Sequence, residues 1–188
     1  TLVSVGPDAS VLLNEMADLQ RLLVSAELVG LSRRLLQAAL AHARARQQFG
    51  QPIGRNQAVS HALATAFCRV EASHALLARA AQSAPATRLP AREAIAAVKG
   101  LASSECPLAA RSALQAFGAQ GLSRASGHEQ DARAVKELSL SWGNATSCLL
   151  ELAADALAAA TANDESGNHE PTQAESPNRP RRLRDDSL

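Results

Sequence analysis

The chain has 188 residues, with 19 Lys and Arg against 18 Asp and Glu; a net charge of +1 excludes a strongly basic nucleic-acid or membrane-binding surface. Hydrophobic residues make up 46% but aromatics only 2%, with no Tyr, so alanine and leucine must build the core. No apolar run approaches the ~20 residues of a membrane span. Cys68, Cys106 and Cys148, far apart and without a Cys-x-x-Cys pair, read as buried thiols of a reducing, cytoplasmic compartment.

Residues 1–7 (TLVSVGP) read as extended chain, a strand end or a linker. A first helix is predicted from about 10 to 48. Leu19, Leu22, Leu23, Ala26 and Val29 form one stripe on it, and Leu28, Leu31 and Leu35 a second. Two stripes imply burial from more than one side, and Gly30 between them implies a close neighbour. A second helix is predicted over about 55–84, with Val59, Leu63, Phe67, Val70, His74, Leu77 and Ala81 at helical spacing. A third runs from Pro90 to about 117, holds Pro107 and stops at Gly118 and Gly121. A fourth is predicted over about 129–162, with Leu138, Leu149, Leu152 and Leu157 turned inward. Four long helices on short turns predict an all-α, antiparallel up-down four-helix bundle over residues 8–162. Residues 163–188, polar and with three prolines, predict a disordered tail.

Three local patterns invite chemistry. Glu71-Ala-Ser-His74 matches the Glu-x-x-His element of di-metal bundles, which need two such motifs and two more inward glutamates. Only half that set is present, so the residues favour a helix-surface pair, with a metal-binding bundle as the alternative and no metal ligands assigned. QFGQPIGRNQ (48–57) interrupts two alanine-rich helices; a Gly-x-Pro stop explains the turn. It does not explain Arg46 before it, Phe49 on it, or Gln57 opening the next helix. Gln115-Ala-Phe-Gly118-Ala119-Gln-Gly121 is a helix end whose backbone can approach a partner closely.

Taken together, Arg46-Gln-Gln-Phe49-Gly50-Gln-Pro52-Ile53 followed by Gln57, Ala26-Glu27-Leu28-Val29-Gly30, and Gln115-x-x-Gly118-x-x-Gly121 resemble the C-terminal helical domain of the acyl-CoA dehydrogenase family. Arg133 also falls where that family carries an arginine on its last helix. The resemblance covers about residues 1–160. It implies that residues 1–7 end a preceding β-domain, and that the family's N-terminal helical domain and most of its β-domain lie outside this sequence. By the same resemblance Arg46, Phe49, Gln57, Gln115, Gly118 and Ala119 contact the FAD of a neighbouring subunit, with Ala119 replacing the usual second glycine.

The family's reaction removes the α-proton of an acyl-CoA while hydride leaves the β-carbon for the flavin, and it needs a carboxylate base. At the two positions where members carry that glutamate, this chain has Gln20 and Trp142. Glu15 and Glu27 lie near the first of these. The resemblance therefore implies two readings: a domain of an FAD-dependent acyl-CoA dehydrogenase of fatty acid or sterol degradation, inactive by itself; or a catalytically silent subunit supporting a partner's flavin site. Either implies a homo- or hetero-oligomer (dimer or tetramer), an acyl-CoA substrate and an electron-transfer acceptor in the complete enzyme.

Overall fold

The computed structural model describes residues 7–83 and 90–167. Helix α1 spans Pro7–Ala45, strands β1 Gln47–Gln48 and β2 Gln51–Pro52 form a minimal hairpin, and a 3-10 turn at Ile53–Arg55 leads into α2, Gln57–Ser83. Helix α3 covers Arg92–Phe117, two 3-10 turns fill Gly118–Leu122 and Arg124–Ser126, and α4 His128–Leu140 is followed by α5 Ala145–Gly167. The all-α bundle expected from the sequence is present. Of the expected linker at 1–7, Pro7 instead opens α1, and of the expected disordered tail at 163–188, residues 163–167 instead extend α5; the remainder of both lies outside the described residues. The chain divides into a unit ending at Asp155 and a second from Ala156, whose described part is the remainder of α5.

Helix α3 is the hub, packing against α1, α2 and α4. Alanine makes this possible: Ala39, Ala66, Ala102, Ala109 and Ala113 are completely buried, and the small methyl lets helix backbones come close. Leu28, Leu35 and Val70 fill the remaining space, each burial contributing about 1.5–3 kcal/mol. Pro107 sits within α3, which remains one helical element.

Several expectations change. The single fourth helix is two, because Ser141–Asn144 breaks it. Trp142 (φ 56°) and Gly143 (φ 102°) are left-handed there, and the Asn144 side chain accepts a hydrogen bond from the Ser147 amide, 2.9 Å, to start α5. The apolar period had hidden this turn chemistry. Leu149 and Leu157 are therefore exposed rather than inward. Helix α1 is covered from more than one side as expected, packing against α2, α3 and α4, but Leu19 and Leu23 of its first stripe are exposed, as is Phe67 on α2. Nothing lies within 4 Å of a Cβ built on Gly30, so no close neighbour explains it. Cys106 and Cys148 are buried, but Cys68 is exposed.

Candidate functional site at the turn end of the bundle

The hairpin after α1 answers why Gly and Pro interrupt the helices. Gln47 pairs with Pro52 and Gln48 with Gln51, leaving Phe49 and Gly50 as a two-residue loop. Both have positive φ, 55° and 78°, as a tight hairpin turn matched to strand twist requires. Asn or Asp is the usual first residue of such a loop; a phenylalanine there is costly, and its ring is 94% exposed. A strained aromatic offered to solvent serves no folding purpose.

The backbone around it is held firmly. The Arg46 amide donates to the His42 carbonyl at 2.8 Å, and the Arg46 carbonyl accepts from Ile53 at 2.9 Å. A Cβ on Gly54 would stand 3.1 Å from the Ala43 carbonyl oxygen, a tight contact that glycine avoids where the turn lies against α1. The Asn56 carbonyl then accepts from Val59 and Ser60 at 2.9 Å each, opening α2 just before Gln57. Arg46 and Gln57 are both exposed. Among the described residues the Arg46 guanidinium has no carboxylate partner.

The second helix end arrives at the same place. Phe117, the last residue of α3, packs against His42 with ring centroids 5.2 Å apart and stacks on His128, the first residue of α4, at 4.0 Å. Three helix ends are thereby pinned together. Gln115, Ser112 and Ala116 of α3 line a groove of about 270 Å³ with Ala58, Val59 and Ala62 of α2. Gly118 caps α3 at φ 61°, its amide bonded to the Gln115 carbonyl, and the space around its Cα is open. Gly121 is the opposite case: a Cβ there would lie 2.8 Å from the Leu114 carbonyl oxygen, so it is glycine for packing. Ala119 and Gln115 are exposed.

So Arg46, Phe49, Gln57, Gln115, Gly118 and Ala119 share one end of the bundle. They present an exposed cation, an exposed aromatic ring, two amide side chains and accessible backbone. That set suits an anionic ligand with a planar aromatic part.

Arg133, on α4, pairs with Glu129 at 2.5 Å. Glu71 pairs with Arg33 at 3.3 Å. Among the described residues no group of three His, Cys, Asp or Glu is placed to hold a metal. Gln20 is half-buried and Trp142 about half exposed.

Sequence reasoning missed a polar cluster at the opposite end of the bundle. Lys99, on α3, is completely buried. Its Nζ donates to Ser103 Oγ and the Gly143 carbonyl, 2.6 Å each, and more weakly to the Leu138 and Ser139 carbonyls at 3.4 Å. Arg21 Nε donates to the Trp142 carbonyl at 3.0 Å, and its guanidinium pairs with Glu151 at 3.0 Å and Asp18 at 3.6 Å. Arg92 meets the same Glu151 at 2.7 Å. Burial lowers the Lys99 pKa, and Arg21 adds to the effect. Burial would raise Glu151, but the Arg21 and Arg92 hydrogen bonds outweigh it and hold the carboxyl below its usual range. The available signal was a lysine inside the apolar stripe Ile95, Ala102, Cys106, Ala109 of α3.

Comparison with known proteins agrees with this architecture. The family profile described as "Acyl-CoA dehydrogenase, C-terminal domain" matches residues 11–158. The chain is 37% identical over 107 residues to acyl-CoA dehydrogenase FadE34 of Mycobacterium tuberculosis, covering 55% of this chain and 15% of that protein. Glutaryl-coenzyme A dehydrogenase, solved as its glutaryl-CoA complex, superposes with a TM-score of 0.76 at 28% identity, covering 80% of this chain and 38% of that one. PigA, solved with FAD and proline, superposes with a TM-score of 0.66 at 27% identity over 74% of this chain and 36% of its own. The chain thus spans well under half the length of these relatives. With the profile covering most of the chain and the bundle matching theirs, the chain belongs to the acyl-CoA dehydrogenase family and corresponds to its C-terminal helical domain.

Proposed function

We propose that the turn end of this bundle holds part of an FAD molecule in an acyl-CoA dehydrogenating flavoprotein. The observation that carries the reading is the convergence of exposed Arg46, Phe49 and Gln57 with the Gln115–Ala119 helix end. In this reading Arg46 pairs with the pyrophosphate, Phe49 lies against the adenine end, and Gln57 and Gln115 donate from their amides. Open space at Gly118 leaves room for the cofactor to approach the backbone. When bound, FAD would accept the hydride from the β-carbon of a thioester substrate. Both sets are exposed, and among the described residues Arg46 has no carboxylate partner, which supports a cofactor shared with another subunit of a dimer or tetramer. The unit would then span residues 8–162, after a β-domain and before a polar tail. It would act in the cytoplasm, passing electrons to a separate acceptor. Among the described residues no helix is long and apolar enough to cross a membrane.

The test is a flavin spectrum of the complete protein that carries this chain, purified with its natural partner subunits. Stoichiometric FAD, lost when Arg46 is replaced by Ala, is the expected result. A complex that never holds flavin overturns the reading.

A second reading rests on Gln20 and Trp142. Neither can accept the α-proton, so these two positions suit a subunit that supports a partner's flavin site without performing the chemistry. Co-expression with a homologous subunit should yield dehydrogenation that this protein alone lacks. Unaided turnover of an acyl-CoA by the complete protein rejects this second reading and leaves the first intact.

A further inference from the structure

We propose that Lys99 and Arg21 form a paired cation clamp, positioning the Trp142–Gly143 turn and fixing the direction in which the Trp142 indole leaves the bundle. The proposal goes beyond the flavin reading and does not depend on it.

The turn is an expensive conformation. Two consecutive residues have positive φ, and one of them is the bulkiest side chain available. A non-glycine residue stays there only where its surroundings over-determine it. What surrounds this one is specific: two cations on two different helices donate to two consecutive carbonyls. Arg21 of α1 holds Trp142 O at 3.0 Å, and Lys99 of α3 holds Gly143 O at 2.6 Å. Each cation is itself fixed. Glu151 and Asp18 steer the guanidinium, and Ser103 Oγ accepts a further hydrogen bond from the ammonium. Gly143 suits the turn because its φ of 102° is one that side-chain-bearing residues rarely adopt.

Lys99 is the telling member. A completely buried ammonium whose hydrogen-bond acceptors are a hydroxyl and three main-chain carbonyls is a poor device for stability alone. A leucine or methionine would fill the volume without the desolvation cost. The ammonium does what an apolar side chain cannot: it gathers the orphan carbonyls at the end of α4 together with the one in the turn, complementing the negative end of the helix. Break and clamp are one unit, and Trp142 emerges from it about half exposed.

The chain has one Trp and no Tyr, so tryptophan emission reports this turn alone. The experiment records the emission maximum and time-resolved anisotropy of the 188-residue chain, as wild type and as Lys99→Met, Arg21→Gln and Arg21→Lys, with far-UV circular dichroism beside them. Lys99→Met is expected to keep the helical signal while the emission shifts to the red and slow-decaying anisotropy is lost. Arg21→Gln shifts both in the same direction by less, and Arg21→Lys recovers part of the change. Unchanged emission and anisotropy in folded Lys99→Met and Arg21→Gln overturn the proposal. Should Lys99→Met not fold, Arg21→Gln decides: Arg21 lies outside the sealed core, and a Trp142 signal identical to wild type in that variant overturns the clamp.

Discussion

The two ends of the bundle use cations in opposite ways. Phe117 and Lys99 lie roughly 27 Å apart along α3 at about 1.5 Å per residue, and each organises a break between helices. At the Phe117 end, apolar and aromatic contacts do the holding, and among the described residues Arg46 has no carboxylate partner. At the Lys99 end the cations themselves hold the chain, and all three (Lys99, Arg21, Arg92) are engaged within the fold. Both ends carry an aromatic residue in a left-handed conformation, Phe49 and Trp142. One is braced by a hairpin and glycine packing, the other by charge. A charge used inside the fold is unavailable to a ligand, so the end that leaves its cation free is the one suited to binding.

This contrast is open to direct attack. The largest expected effect is on Lys99→Ala, which removes a buried side chain and the ammonium donor to the Ser139 and Gly143 carbonyls; denaturant unfolding should show a loss of about 3 kcal/mol. Arg46→Ala in the same assay should change stability by less than about 0.5 kcal/mol. Equal losses would abolish the distinction between the ends.

Next in size is Gly121→Ala. Its methyl would press on the Leu114 carbonyl oxygen, costing about 1–3 kcal/mol. Because the clash displaces the Gly118–Ala119 backbone, flavin retention by the complete protein should fall with it. A destabilised variant with undiminished flavin content would separate that helix end from the ligand site.

For the ligand itself, Arg46→Ala should weaken flavin binding on the order of 10–100-fold, the value of a charge-assisted contact, with helical content unchanged. Parallel loss of helicity and flavin would mean that Arg46 is structural after all.

The smallest effect is one of pH. Burial lowers the folded-state pKa of Lys99 below that of the unfolded chain. Between that lowered value and the ordinary lysine value of about 10.4, the unfolded state binds more protons. Stability from this group therefore rises with pH across that window, and it is fully gained above the unfolded pKa. Comparing wild type with Lys99→Met isolates the contribution, because Cys106, whose thiol burial pushes up, is common to both proteins. A difference that falls with rising pH would contradict the assignment.

Much was legible from residues alone. Helix-forming alanine, apolar periodicity and glycine stops specify four long amphipathic segments. Arg46, Phe49 and Gln57 stood out because a turn does not require them. These are local properties, carried by neighbours within a few positions of one another. Other features were decided only by packing. The break at Ser141–Asn144 was masked by leucines whose spacing suited a continuous helix, although Gly143 and Asn144 carried the turn chemistry. Lys99 drew no notice in the sequence, and it is buried because α4 and the turn after it close over it. Arg21 and Glu151 lie 130 positions apart, so no local pattern could pair them. Likewise, that Arg46 and Gln115 lie at one end of the bundle follows from helix lengths and from the His42–Phe117–His128 stack, a contact among three helices that only the folded chain brings together.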